Sequence, residues 1–324
     1  MRLPQTSSSP HPIKLSLIWG LMGVCLIAML VPQYTVTPGT PVAPVPPGGI
    51  LPDHPSAFIV CLVGLSIGCY GTIVGIGGGP LILPTMMYFY GWEPEVLVAS
   101  SLFVVFLNAT SGTIGYYRQK RIDYIGGVRL AAAAIPAAVI MGIIHHLFAV
   151  PAFDVIFGIF LLLLAVYSLV KVKKLTRPGI LVPEMIKPHF RKLDVLDAFG
   201  EKYTLWVDDK TGAICCVFMG ALVGFLGIGG GVLQVPLLVF VLNYPVHLAT
   251  ATSHFITMIV SFVALIPHLY LGNVFFDETI WMGSGVVVGA QLGAWLAPRI
   301  KSSLIIYLFI VIIFVFAAKM LFHL

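Results

Sequence analysis

Apolar and polar positions follow one another along this chain in blocks. Apolar runs occupy 15–31, then 57–74, 81–90, 96–116, 124–145 and 152–170, then 213–226, 232–242, 246–269, 279–296 and 303–321. About 20 apolar residues suffice to cross a bilayer as a helix. The segments 155–170, 280–296 and 304–318 contain no charged side chain. Runs 81–90 and 232–242 are half the usual length and read as short return segments. This pattern predicts an all-α polytopic membrane protein.

Two polar stretches interrupt it. Residues 32–55 hold Pro38, Pro41, Pro44, Pro46 and Pro47 without Lys or Arg, and read as an extended external linker. Residues 171–210 are mixed in charge and read as an amphipathic surface segment on the cytoplasmic side. The run at 15–31 has a basic start, like a signal peptide, but no small-x-small cleavage site directly follows it. It is read as a retained extra N-terminal helix.

Composition strengthens the membrane assignment. Hydrophobic residues make up 59% of the chain and charged residues 10%, against roughly 45–50% and 25% in soluble domains. The net charge of +5 does not point to nucleic acid, because the basic residues sit in loops between apolar runs rather than on one face or arm. Cys25, Cys61, Cys69, Cys215 and Cys216 lie in apolar segments without metal-ligand spacing, and read as small packing residues. No cofactor or metal is expected.

A sequence block occurs twice. Gly75-Ile76-Gly77-Gly78-Gly79 is echoed by Gly227-Ile228-Gly229-Gly230-Gly231, and Ala99-Ser100-Ser101 by Ala251-Thr252-Ser253, both at an offset of 152 residues. Two matches in one register indicate an internal duplication. The halves cover 56–170 and 211–324, each of four to five helical segments.

Charge then orients the halves. Arg118, Lys120 and Arg121 share one loop, Lys171, Lys173, Lys174 and Arg177 open the polar segment, and Arg299 and Lys301 occupy the last loop. The positive-inside rule makes these loops cytoplasmic. The stretch 56–91 then starts and ends outside, while 213–244 starts and ends inside. The two glycine-broken hairpins enter from opposite faces, so the halves form an inverted repeat, a recurring transporter architecture. A full hairpin with an ordinary glycine turn at the far surface has the same topology.

The glycine runs are not nucleotide fingerprints: Pro80 and Val232 stand where a dinucleotide motif needs its third glycine, and no Lys-Ser or Lys-Thr follows. They do free backbone amides where a helix breaks and a new one begins, with Pro80 suited to a first helical turn. A helix N-terminus with free amides can hold a small anion, and glycine lets it approach. Gly77, Gly78, Gly79, Gly229, Gly230 and Gly231 are therefore the candidate anion-binding residues. The competing role, close helix packing, suits the small-xxx-small sets Gly64/Gly68 and Gly285/Gly289/Gly293 better. Ser100, Ser101, Thr252 and Ser253 add hydroxyl donors, although intramembrane hydroxyls often bond only the preceding turn. Asn108, Thr110 and Gln234 could extend the lining. His254 is the candidate for proton coupling; a histidine bonded to a neighbouring helix is the structural alternative. No carboxylate pair or nucleophile–base set lies within the apolar runs, so catalysis is not expected.

The block at 75–84, its second copy at 227–236 and the Ala251-Thr252-Ser253-His254 that follows resemble the TauE/SafE family of sulfite and organosulfonate transporters. The resemblance covers nearly all of 56–324; residues 1–55 and 171–210 are less typical. It implies a carrier of the prokaryotic cytoplasmic (inner) membrane, surrounded by membrane lipid. Its substrate would be a small sulfur-containing anion such as sulfite, sulfoacetate or a related organosulfonate, with proton coupling suspected. An anion channel on the same scaffold and a non-transporting scaffold or sensor using 171–210 are the rival readings. The substrate, the direction of transport and the oligomeric state stay open.

Overall fold

The structure, a computed structural model, describes residues 57–90, 92, 94–144, 151–172, 190–226 and 231–322. The expected first helix at 15–31, the proline-rich linker and the glycines Gly229 and Gly230 lie outside these residues.

The described chain is helical apart from one hairpin. Five helices form the first half: α1 (Ala57–Val74), α2 (Gly79–Tyr90), α3 (Pro94–Arg118), α4 (Tyr124–Ile144) and α5 (Pro151–Val172). Strands β1 (Arg191–Leu196) and β2 (Lys202–Val207) follow. The second half comprises α6 (Asp209–Leu226), α7 (Gly231–Pro236), α8 (Val246–Tyr270), α9 (Phe276–Leu296) and α10 (Ser302–Phe322). Among the described residues, five helices are long and apolar enough to cross a membrane: α1, α3, α4, α8 and α9. Helix α2 has 12 residues, about 18 Å at 1.5 Å per residue, too short for a hydrocarbon core of about 30 Å.

Local chemistry explains the broken elements. Pro84 in α2 and Pro236 in α7 occupy the same position of the duplicated block. A proline cannot donate to the helical ladder. After Pro236 the chain widens into a π turn over Leu237–Val241, with Leu242 N donating to the Leu237 carbonyl at 3.0 Å. Asn243, in the left-handed region at φ 57°, ends it.

The packing interleaves the two halves. Helix α1 lies against α9 and α6 against α4; α5 lies against α10; α3 touches α8 and α9, and α8 touches α4. The α1–α9 contact is glycine-lined: a Cβ at Gly64 would sit 2.6 Å from the Met282 carbonyl oxygen and one at Gly68 2.5 Å from that of Val286. On the facing helix, Cβ atoms at Gly285, Gly289 and Gly293 would run into the carbonyls of Cys61, Leu65 and Cys69. Without side chains between them the backbones approach closely, the packing expected of small-xxx-small stripes. Large apolar side chains such as Phe58, Ile125, Leu163, Ile214, Ile280 and Phe314 are exposed around the outside, a surface suited to lipid contact rather than water.

Residues 190–208 fall within the polar segment expected at 171–210. They form an antiparallel hairpin with Arg191 opposite Val207 and Leu196 opposite Lys202. Leu193 and Val195 alternate with Lys192 and Asp194 in β1, and Tyr203, Leu205 and Val207 lie at alternate positions of β2, the period that fits a half-buried strand. Asp197 organises the turn, its Oδ1 accepting from the amides of Phe199 (2.9 Å) and Glu201 (2.8 Å), and Gly200 takes φ +85°.

Candidate functional site

The first glycine run is buried throughout and sharply turned. Gly75, Gly77 and Gly78 have φ of +88°, +68° and +78°, a region that residues with a Cβ rarely adopt. Gly75 and Ile76 donate to the Gly71 carbonyl at 2.9 and 3.0 Å, which closes α1. Leu81 and Ile82 both donate to the Gly78 carbonyl at 2.9 Å, which opens α2. The amides of Gly77, Gly78 and Gly79 come before Leu81, the first residue to donate within α2, and belong to the orphan donors of a helix start.

Around this break the fold gathers polar side chains from α1, α3, α7 and α8. Ser253 Oγ donates to the Gly75 carbonyl at 2.7 Å and lies 3.2 Å from Gln234 Oε1, which also accepts from Thr257 Oγ1 at 2.9 Å. A hydroxyl has one proton, so Ser253 serves one of its two acceptors at a time. His254 Nε2 is 3.2 Å from Thr72 Oγ1. Tyr116 donates to the Thr72 carbonyl at 2.7 Å, and its ring meets the His254 imidazole edge-on at 5.6 Å. Asn108 is fully buried; its Oδ1 lies 3.5 Å from Thr72 Oγ1, while its Nδ2 has no partner among the described residues. That amide nitrogen would be 3.2 Å from a Cβ at Gly78. An unpaired buried donor in a dry interior is costly unless something fills it.

The second run reaches the same place. A Cβ at Gly231 would collide with the Ile76 carbonyl, and one at Gly75 would lie 2.9 Å from Val235 Cγ2 and 2.8 Å from Thr250 Cα. The two runs therefore touch inside the protein through Ile76 and Gly231.

Of the residues picked from sequence, Gly77, Gly78, Gly79, Gly231, Asn108, Gln234, Ser253 and His254 share this cluster, and Gly229 and Gly230 lie outside the described residues. Ser100, Ser101 and Thr252 point elsewhere. Ser100 Oγ accepts from Phe275 N at 3.2 Å, at the start of α9. Thr252 Oγ1 accepts from Asp123 N at 3.1 Å, just before α4. Ser101 donates to the Val98 carbonyl at 2.9 Å. The cluster also includes Thr72, Thr257 and Tyr116, which sequence reasoning missed. Thr257 lies one turn beyond Ser253 on the same helix face, a spacing that could have revealed it. Among the described residues no group of His, Cys, Asp and Glu could hold a metal.

A charged cluster lies where α3 ends and where α4 and α6 begin. Arg121 pairs with Asp197 at 2.7 Å, both nearly inaccessible (4% and 0% exposed), and its guanidinium stacks over Phe199 at 4.8 Å. Arg191 bridges Asp123 (2.5 Å) and Asp209 (2.9 Å), and Tyr244 donates to Asp123 Oδ2 at 2.6 Å. Burial works against the Arg191 charge, but the Asp209 and Asp123 carboxylates outweigh it and hold the pKa above its ordinary value.

Comparison with known proteins adds a family. The profile described as sulfite exporter TauE/SafE matches residues 60–320, and a second match covers 5–117. A probable membrane transporter protein of Bacillus subtilis (strain 168), YunE, is 28% identical over 275 residues, covering 83% of this chain and 98% of its own length. One of Methanocaldococcus jannaschii, MJ0441, is 25% identical over 258 residues, 75% of this chain and 87% of its own. One of Xylella fastidiosa (strain 9a5c) is 28% identical over 246 residues, 75% and 84% respectively. No solved structure matches.

Proposed function

This chain belongs to the sulfite exporter TauE/SafE family of membrane transporters, and on that footing we propose that it is a secondary transporter for a small anion. The substrate is sulfite, sulfoacetate or a related organosulfonate, carried across the prokaryotic cytoplasmic membrane by alternating access. The observation that carries the reading is the Asn108 amide, without a partner among the described residues and fully buried beside the left-handed Gly78 at the start of α2. Orphan amides, a positive helix end and a side-chain donor converge there without a buried cation to desolvate. An oxyanion matches that donor set.

The halves are an inverted repeat. Supporting this, Ser100 near the start of α3 bonds Phe275 beyond the end of α8, and Thr252 near the start of α8 bonds Asp123 beyond the end of α3. The equivalent helices therefore run antiparallel. Exchanging the halves also maps the α1–α9 contact onto α6–α4 and the α3–α9 contact onto α8–α4. His254, held between Thr72 and Tyr116, is the proton-coupling group.

Flux of sulfite and C2 sulfonates into proteoliposomes, with and without a pH gradient, tests the proposal. Saturable flux that responds to the gradient is expected. Asn108→Leu and Asn108→Ala should each lower it by tenfold or more, about the worth of one lost charge-assisted hydrogen bond, while folded yield is retained. Unchanged flux in both variants removes the site assignment, and an ohmic current makes the protein a channel.

A further inference from the structure

The duplication places the same three-residue contact at both ends of the α3–α8 pair, and the two copies differ in chemistry. At one end Phe275 N donates to Ser100 Oγ at 3.2 Å, and the Phe275 ring meets Trp92 edge-on at 5.2 Å. At the other, Asp123 N donates to Thr252 Oγ1 at 3.1 Å, and Asp123 Oδ2 accepts from Tyr244 at 2.6 Å. Trp92 and Tyr244, Ser100 and Thr252, and Asp123 and Phe275 each stand 152 residues apart, the offset of the glycine runs. Each contact joins the start of one central helix to the segment leading into the other half's fourth helix. Each hydroxyl also immediately precedes a serine of the duplicated pair, and Ser253 of that pair holds the Gly75 carbonyl.

The two ends are closed by different forces. Trp92 is buried and stacks on Tyr90, with ring centroids 4.3 Å apart, so that end is sealed by aromatic packing. The opposite end is sealed by charge. Arg191 of the hairpin reaches both oxygens of Asp123 (2.5 and 3.3 Å) and also holds Asp209 at the start of α6. The Ala198 amide donates to the Gln119 carbonyl at 3.0 Å, and Gln119 Nε2 donates to the Ala294 carbonyl at 2.6 Å. The hairpin thus ties the ends of α3 and α9 to the starts of α4 and α6, across both halves. A contact that has to break and re-form is well served by directional charge pairs, which give a defined closed geometry rather than net stability.

We propose that the Trp92–Phe275–Ser100 and Tyr244–Asp123–Thr252 contacts are the two gates of the transport site, and that the hairpin latches the second through Arg191. The proposal rests on reading the chain as an alternating-access carrier. These six are positioning residues: they act through the helix starts, and Thr252 also through its neighbour Ser253, not on substrate.

The test uses accessibility, which does not depend on flux. Ser253→Cys in the full chain is reacted with a small charged methanethiosulfonate added to one face of sealed vesicles. Modification is quantified by peptide mass spectrometry, so the native cysteines stay in place. Arg191→Gln should raise the rate from the hairpin face roughly tenfold, the worth of one charge-assisted hydrogen bond, and leave the other face unchanged. Trp92→Ala should do the reverse, and Arg191→Lys should stay near the parental rate, which separates loss of the latch from misfolding. Equal changes at both faces, or none in either variant, overturn the gates. Face-specific labelling in a protein that moves no anion keeps the gates and removes the transport reading; flux without face-specific labelling does the opposite.

Discussion

Asp197 shows how much one side chain can hold. Its carboxylate pairs with Arg121 in a nearly inaccessible contact and caps two amides of its own turn. Removing one member of such a pair leaves an uncompensated charge, at a cost of roughly 3–5 kcal/mol, whereas replacing both by apolar groups is close to neutral. Arg121→Met should therefore lower thermal stability in detergent much more than the double variant Arg121→Met/Asp197→Asn, which removes both charges but keeps the Oδ1 that accepts from the Phe199 and Glu201 amides, read by melting of the purified protein. Equal destabilisation would mean that the pair's position matters less than its volume. At this scale the sequence was informative for glycines and silent on hydroxyls. Three glycines in a row in an apolar run point to backbone that a side chain would block, and Gly77 and Gly78 do take left-handed conformations. A serine in an apolar run has equally good partners on its own helix, on a neighbouring helix and in a ligand, so nothing local separates Ser101 from Ser253.

Among the elements, the α1–α9 pair and the hairpin make a contrast. Gly64, Gly68, Gly285, Gly289 and Gly293 repeat every four residues, so one helix face loses its side chains, and that is visible in the chain. Gly289 would put a Cβ against the Leu65 backbone, which cannot give way, whereas Gly200 has φ +85° and open space around it. Gly289→Leu should abolish the folded, monodisperse fraction on size-exclusion chromatography. Gly200→Ala should cost only about 1–2 kcal/mol, the penalty of a left-handed alanine. The hairpin was harder to read. Its strands are six residues each, and its alternation lies in a highly charged stretch. A two-stranded sheet is marginal by itself; Leu205 and Val207 are buried in an apolar core they share with helix residues.

At the scale of the molecule neither half encloses its own partners. Helix α1 needs α9, α4 needs α6 and α5 needs α10, so a half expressed alone would leave its interhelical faces uncovered. Fragments 1–189 and 190–324 should co-purify as a complex when expressed together, and each should be degraded or aggregate when expressed singly. A stable, monodisperse fragment 1–189 would contradict this interleaving.

What the sequence determined by itself is what local chemistry and repetition encode: apolar runs that set helix lengths, proline and glycine positions that break them, and the 152-residue offset that pairs the halves. The observed helices α1, α3, α4, α8 and α9 begin and end within three residues of those runs. Only the tertiary structure decided which polar groups meet. It brought Asn108, Thr72, His254, Ser253 and Gln234 to the glycine break, and sent Ser100 and Thr252 to the helix starts of the opposite half. The physical reason is that a hydrogen bond is worth the same to a chain whichever of several partners satisfies it. The choice among partners far apart in sequence is made by the packing that delivers them.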